Sequence, residues 1–248
     1  MNETVATEPG RYAQQSDGRS EFGLTRLIFA MLGVFAGYYG FLWFSGFYLA
    51  RTVHSNPNSI VTSVTNLAYP AKAIFVLVEM ILVIYLYRPV RDLFVISDHQ
   101  SDRDHWMREA TVGAGIGIIL FFLAIPFLQN LNTRMLINTV FPGNQPLSFR
   151  SIACALLLGI GLPAAGEIVF RGIVLRTLRT YSSTLAAILL STLLFVSIWP
   201  LFEIPVSLLV GVVASVLYSW RKSLVGPIFA NIVFTLSGGT YVLYRIWV

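Results

Sequence analysis

Three ionisable residues interrupt long apolar stretches of this chain, namely Glu79, Glu167 and Arg171. Burying a charged side chain within a membrane costs free energy, so such residues mark candidate catalytic, binding or transport sites. Glu167 and Arg171 are four residues apart, which on a helix places them on one face within contact range. The pair can be interpreted in two ways: as a self-compensating structural ion pair at the cytoplasmic end of its segment, or as a catalytic or binding carboxylate oriented by its arginine.

Glu79 is the third candidate, and Lys72 precedes it by two helical turns. At that separation the two are poorly placed to pair. We expect Glu79 to face the interior of a helical bundle, where it is protonated or hydrogen-bonded. A path through the bundle shared by Glu79 and Glu167 would instead indicate a transporter-like role.

Metal chemistry is poorly supported by the sequence. The histidines are His54, His99 and His105, and all three fall in predicted loops. Zinc sites draw three or four ligands from His, Cys, Asp and Glu. Residues 98–105 hold such residue types, but their spacing matches no metal motif, so we interpret them as a solvated charged loop. No cofactor and no metal is therefore expected.

The elements that must position these residues are predicted from composition. The chain has 248 residues, of which 56% are hydrophobic and 12% are charged, against about 25% charged in a soluble domain. This composition is hard to fit to a soluble globule and excludes a disordered chain and a coiled coil, and the single Cys154 excludes a disulfide scaffold. The net charge of +5 indicates membrane orientation rather than nucleic-acid binding. The expected partners are membrane lipids and either a membrane-anchored peptide or a partner membrane protein.

Apolar stretches long enough to span a membrane predict an all-α, polytopic transmembrane bundle of about seven spans. Residues 1–23 are predicted to be a disordered cytoplasmic tail, 24–150 the N-terminal transmembrane helices and 151–248 the transmembrane core. The last stretch contains Ser237-Gly238-Gly239 and could be two pieces, which would give eight spans. The predicted spans lie near 27–50, 69–87, 111–129, 151–170, 182–199, 204–219 and 223–247.

With seven spans and a cytoplasmic N-terminus, most arginine and lysine residues lie in cytoplasmic segments. This agrees with the positive-inside rule and predicts a protein of the cell's inner (plasma) membrane. Small-residue pairs four apart, Gly33/Gly37 and Gly113/Gly117, would let helices approach closely, although glycine is also simply common in membrane helices.

Residues 163–172 (PAAGEIVFRG) resemble the first motif of the CPBP family, which contains the intramembrane CAAX-processing endoproteases and the bacteriocin-immunity (Abi) proteins. That motif reads Glu-Glu-x-x-x-Arg, often continuing Phe-Arg-Gly. Glu167 and Arg171 match its second glutamate and its arginine, whereas Gly166 stands at the first glutamate.

The two later motifs of the family have counterparts with altered residues. Residues 191–199 (STLLFVSIW) resemble Phe-x-x-x-His, with Phe195 matching and Trp199 at the histidine position. Residues 221–231 (RKSLVGPIFAN) resemble the approach to His-x-x-x-Asn/Asp, with Asn231 at the histidine and Thr235 at the Asn/Asp position. The resemblance covers about residues 150–240.

The resemblance implies a mechanism in which the first glutamate and a histidine activate water, while the second histidine and the Asn/Asp stabilise the oxyanion; metal-dependent versions use zinc. Gly166 cannot accept a proton, and Trp199 offers only an indole N–H donor. Asn231 and Thr235 can still donate hydrogen bonds. Glu167 is about 100° around the helix from Gly166, so it points to a different face.

Two functional hypotheses follow. In the first, the protein is a pseudoenzyme that keeps the family cavity, with Glu167–Arg171 as a structural pair, and binds a peptide, a lipid or a partner membrane protein. In the alternative, it is an active intramembrane endopeptidase for CAAX-type processing in which Glu167 replaces the missing base.

Overall fold

A computed structural model describes residues 23–52, 69–86, 100–129, 156–197 and 204–247. Within these ranges the chain is helical and contains no strand, which confirms the all-α prediction. The predictions for residues 1–22, His54, His99, Cys154 and Trp199 concern positions outside the described residues.

Seven helices form the described part of the bundle, and each overlaps one predicted apolar stretch. They are α1 (Leu24–Thr52), α2 (Tyr69–Leu86), α3 (Gln100–Gln129), α4 (157–181), α5 (Thr184–Val196), α6 (Ile204–Arg221) and α7 (Val225–Trp247).

Two of the described segments, Asp104–Gln129 and Ile204–Arg221, are long and apolar enough to cross a membrane. The predicted count of seven spans is therefore not confirmed. Large apolar side chains nevertheless cover the outer faces of several helices, and an apolar exterior of this kind suits contact with lipid. Examples are Phe29, Trp43, Tyr85, Phe122, Leu185 and Leu193.

One boundary differs clearly from the prediction. α3 begins at Gln100, so His105 belongs to its exposed first turns and not to a loop. The apolar pattern missed these turns because a helix can continue past the apolar region with a polar surface. α7 runs without interruption through residues 237–239, so the predicted stretch 223–247 forms one helix and the alternative of two pieces does not occur; isolated glycines weaken a helix without ending it.

α4 is the central element, and it contacts α1, α2, α5, α6 and α7. It consists of an α-helical segment, Leu162–Glu167, between two π-helical segments, Leu157–Gly161 and Ile168–Leu175, and it ends with the α-helical Arg176–Tyr181. Pro163 lies near the start of the first α-helical segment, where its missing N–H interrupts the backbone hydrogen bonds. π-helical turns are rare and often accompany functional sites.

The apolar core surrounds α4. Val169, Phe170, Ile173 and Val174 of α4 are buried against residues of α1, α2 and α5. A second cluster joins the end of α4 to α5, α6 and the start of α7 through Leu175, Ala187, Ile188, Tyr218 and Leu224. α4 is thus held on most sides, which allows it to place polar residues inside the bundle.

α3 and α7 approach closely at glycine. A Cβ atom added to Gly113 would collide with the backbone of Gly226, and one added to Gly117 would collide with the carbonyl of Ala230. The Gly113/Gly117 pair therefore acts as a close-packing face. Around Gly33, in contrast, there is open space, so no close approach occurs at that residue of the Gly33/Gly37 pair.

Candidate functional site

The centre of the site is the Glu167–Arg171 pair, and both side chains have an exposed fraction of 0%. Arg171 Nε lies 3.2 Å from Glu167 Oε2, an ion-pair distance without hydrogen-bond alignment, since neither atom has a hydrogen-bond partner. The sequence placed this pair at the end of its segment. In the structure it lies in the middle of α4, because the helix continues to Tyr181.

The other oxygen of the glutamate reaches α7. Asn231 Nδ2 donates a hydrogen bond of 2.8 Å to Glu167 Oε1, and Asn231 is itself buried. One turn later, the Thr235 hydroxyl donates to the Asn231 carbonyl at 2.8 Å and lies 3.5 Å from Asn231 Oδ1. The retained glutamate of the first motif thus contacts one altered position of the third motif, Asn231, which is bonded in turn to the other, Thr235.

The arginine is held by α6 and α5. Arg171 Nη2 donates a 2.9 Å hydrogen bond to the Gly211 carbonyl, which also accepts from Ser215 Oγ at 2.8 Å. The guanidinium carbon lies 4.5 Å from the centre of the Phe195 ring, within the range of a cation–π contact.

Gly211 allows α6 to pack closely on α5. A Cβ atom there would lie 2.8 Å from Thr192 Cγ2 and 3.3 Å from Phe195 Cδ1, whereas Arg171 Nη2 would be at an ordinary contact distance of 3.5 Å. The absence of a side chain at Gly211 therefore keeps α5 and α6 close together beside the arginine.

Gly166 and Glu167 face different helices. A Cβ atom on Gly166 would meet Phe195 of α5 at 3.9 Å, whereas the Glu167 carboxylate is bonded to Asn231 of α7. A side chain at position 166 would therefore be directed towards the second motif, and that of Glu167 is directed towards the third. Trp199, the altered histidine position, is outside the described residues.

This arrangement fixes the position of the Glu167 carboxylate. The Arg171 guanidinium lies beside one of its oxygens, and the Asn231 amide donates to the other. A general base must be free to accept a proton from water within hydrogen-bond reach. The Glu167 carboxylate is fully buried, so in this geometry no water reaches the one oxygen, Oε2, that lacks a hydrogen-bond partner.

The residues present do not fit a zinc ion. Zinc requires three or four His, Cys, Asp or Glu ligands, and no group of three such side chains converges in the described ranges. At the motif positions, an amide (Asn231) and a hydroxyl (Thr235) accompany one carboxylate that is already paired.

Glu79 is half-buried on α2, and its Oε2 atom is buried without a hydrogen-bond partner. The next residue, Met80, packs in the core cluster that contains Val169 of α4. α2 thus packs on α4, but no described contact joins Glu79 to Glu167.

The sequence reasoning did not single out Glu109 of α3, which is fully buried. Arg221, the last residue of α6, donates to Glu109 Oε1 from Nε at 2.9 Å and also from Nη2. The sequence did offer one indication of its burial, since Glu109 lies two residues before the apolar stretch that begins at residue 111. Its partner could not be identified, because 112 residues separate the pair.

Fold and site together describe a helical bundle with a buried polar centre. A family model described as Type II CAAX prenyl endopeptidase Rce1-like matches residues 148–237. This match confirms the resemblance to the CAAX prenyl endopeptidase (CPBP) family over that part of the chain. The match includes α4, α5, α6 and the first half of α7, and it excludes α1–α3. No curated protein and no solved structure matches the chain.

Proposed function

We propose that this protein is a non-catalytic member of the CAAX-protease family that binds a membrane-anchored peptide, a lipid or a partner membrane protein without hydrolysing it. The observation that carries the proposal is the state of Glu167. Its carboxylate has an exposed fraction of 0% and lies between Arg171 and Asn231.

The position of the family's base is the second ground for this proposal. Water activation needs a group that accepts a proton, and the family places that group at the position of Gly166. Glu167 is fixed by a cation and an amide donor, so it does not substitute. Hydrogen-bond donors without a base do not make a hydrolase, since the two contributions act as a unit.

One observation favours the alternative, an active intramembrane endopeptidase. The Glu167 carboxylate lies 2.8 Å from the amide of Asn231, so an acid and a hydrogen-bond donor do meet at the third motif. If substrate binding displaced Asn231 and admitted water, Glu167 would be the only acidic residue of the motif positions able to act.

The test compares cleavage with binding. The full chain is reconstituted in vesicles and given a fluorescent prenylated peptide ending in a CAAX sequence, with Glu167→Gln measured beside it. We expect no cleavage by either protein, and saturable binding of the peptide to the unmodified protein. Cleavage that Glu167→Gln abolishes would overturn the proposal in favour of the endopeptidase.

A restoration experiment tests the same point from the other side. The changes Gly166→Glu, Trp199→His, Asn231→His and Thr235→Asn are made together. Position 166 has room for a Cβ atom, which would meet Phe195 at an ordinary 3.9 Å. Cleavage gained by the restored protein and absent from the unmodified one supports loss of the base as the reason for inactivity.

A further inference from the structure

One corner of the bundle concentrates positive charge beside exposed aromatic rings. It is formed by the end of α4 and the turn between α6 and α7, which the second apolar cluster holds together. Arg176 is exposed and Arg179 is half-buried at the end of α4, and Lys222 is exposed in the turn. Lys222 has a φ of 57°, and this left-handed backbone reverses the chain between α6 and α7.

Among the described residues, no acidic side chain lies within ion-pair distance of Arg179 or Lys222. In the described parts of the chain the ion pairs are Arg171–Glu167 and Arg221–Glu109, so Glu109 is already committed. Neither pair includes Arg179 or Lys222. Partial loss of hydration lowers the pKa of Lys222, and the nearby Arg179 guanidinium lowers it further. Leu175 and Leu178 near the end of α4 pack with Leu224 of the turn in the second apolar cluster, so the two cations belong to neighbouring segments. Two like charges placed in this way attract an external anion.

The flanking rings indicate where that anion lies. Trp220 and Tyr181 are 71% and 56% exposed, and each is within two residues of one of the cations. The Arg221 guanidinium carbon lies 5.3 Å from the Trp220 ring centre. Tryptophan and tyrosine with one apolar and one wet side are typical of the headgroup level of a membrane.

We infer that Arg179 and Lys222 bind the phosphate of an anionic phospholipid, with Trp220 and Tyr181 against its glycerol and upper acyl region. The site is independent of the buried Glu167 centre and of whether the protein is catalytic. Basic residues at a membrane surface attract anionic lipids, and the pairing of two cations across two helix ends converts this general attraction into a local site.

The test uses Trp220 as the reporter. The full chain is reconstituted in phosphatidylcholine vesicles in which either brominated phosphatidylglycerol or brominated phosphatidylcholine replaces part of the lipid. Quenching of Trp220 is obtained as the difference from Trp220→Phe. We expect stronger quenching by the brominated phosphatidylglycerol than by the brominated phosphatidylcholine. The affinity for phosphatidylglycerol should be about thirtyfold weaker in Arg179→Gln/Lys222→Gln, since each cation contributes a little over fivefold.

The matched control is Arg26→Gln/Arg108→Gln, which removes the same charge from two other exposed arginines. It should keep the preference for phosphatidylglycerol. Equal loss in both double variants would overturn the inference, because general surface charge would then explain the preference. No preference in the unmodified protein would also overturn it. Displacement of the lipid by inorganic phosphate, but not by the same concentration of chloride, would contradict a lipid site and indicate a site for the free anion.

Discussion

Two acid–arginine pairs stand in different parts of this bundle, and they are stabilised in different ways. Glu167–Arg171 lies within one helix, and both side chains are fully buried. Glu109–Arg221 joins α3 to the end of α6, and its arginine keeps 27% of its side-chain surface exposed. The first pair relies on partners from α5, α6 and α7, whereas the second leaves the remainder of its arginine to solvent and to Trp220.

The difference shows what burial demands of a charge. A buried ion pair must recover its lost hydration through additional hydrogen bonds. Arg171 therefore takes the carbonyl of Gly211, and Glu167 takes the amide of Asn231. A pair at the end of the bundle needs fewer partners because water remains available. This predicts that the interior pair is the more sensitive of the two to single substitutions.

The largest effect is expected from Arg171→Met, which leaves the Glu167 carboxylate buried without its cation. Removal of one partner from a buried pair destabilises by about 3–5 kcal/mol. The thermal unfolding midpoint in detergent is the measurement. The double variant Glu167→Gln/Arg171→Met should recover much of the loss, because the remaining amide is neutral. A single variant as stable as the unmodified protein would contradict the structural role of the pair.

Asn231→Asp is expected to have the second largest effect on the unfolding midpoint. It places a second carboxylate where the amide now donates at 2.8 Å, so repulsion replaces a hydrogen bond. The comparison variant Asn231→Ala removes only the hydrogen bond, at about 1–3 kcal/mol for an unsatisfied buried group. Unfolding midpoints should fall in the order unmodified, Asn231→Ala, Asn231→Asp. The reverse order of the two variants would mean that Glu167 is protonated in the folded protein.

Gly117→Ala tests the packing that brings α7 to the interior pair. The added methyl group would collide with the carbonyl of Ala230, the residue before Asn231. Overpacking of this kind typically destabilises by about 1–3 kcal/mol. Gly115→Ala is the matched control, because its Cβ atom meets nothing within 4 Å, and it should be neutral or slightly stabilising. Equal effects of the two changes in the unfolding midpoint would contradict the close approach.

The smallest effect is expected from Glu109→Gln at the end of the bundle. The amide still fills the buried position, and Arg221 can turn to solvent. The unfolding midpoint should fall by less than in Arg171→Met, and the difference from the unmodified protein should shrink at high salt, which screens an exposed cation. The exposed Asp104→Asn serves as the charge-matched control. A loss at Glu109 as large as that at Arg171 would remove the distinction between the two pairs.

Much of the fold followed from local pattern. Each predicted apolar stretch overlaps a helix, because apolar runs of this length have few alternatives to helix in a membrane. The spacing of Glu167 and Arg171 predicted their contact, since four residues on a helix are neighbours. The errors fell at helix ends, at Gln100 of α3 and Tyr181 of α4, where hydropathy does not determine whether a helix continues.

The sequence by itself thus determined the helical class, the family of residues 148–237 and the i,i+4 ion pair, because all three depend on the order of residues along the chain. Only the tertiary structure decided that Asn231 bonds Glu167 across 64 residues, that Gly211 accepts from Arg171 across 40, and that Glu109 meets Arg221. These contacts arise from the way helices pack, and no periodicity in a single helix encodes which face of another helix it will meet.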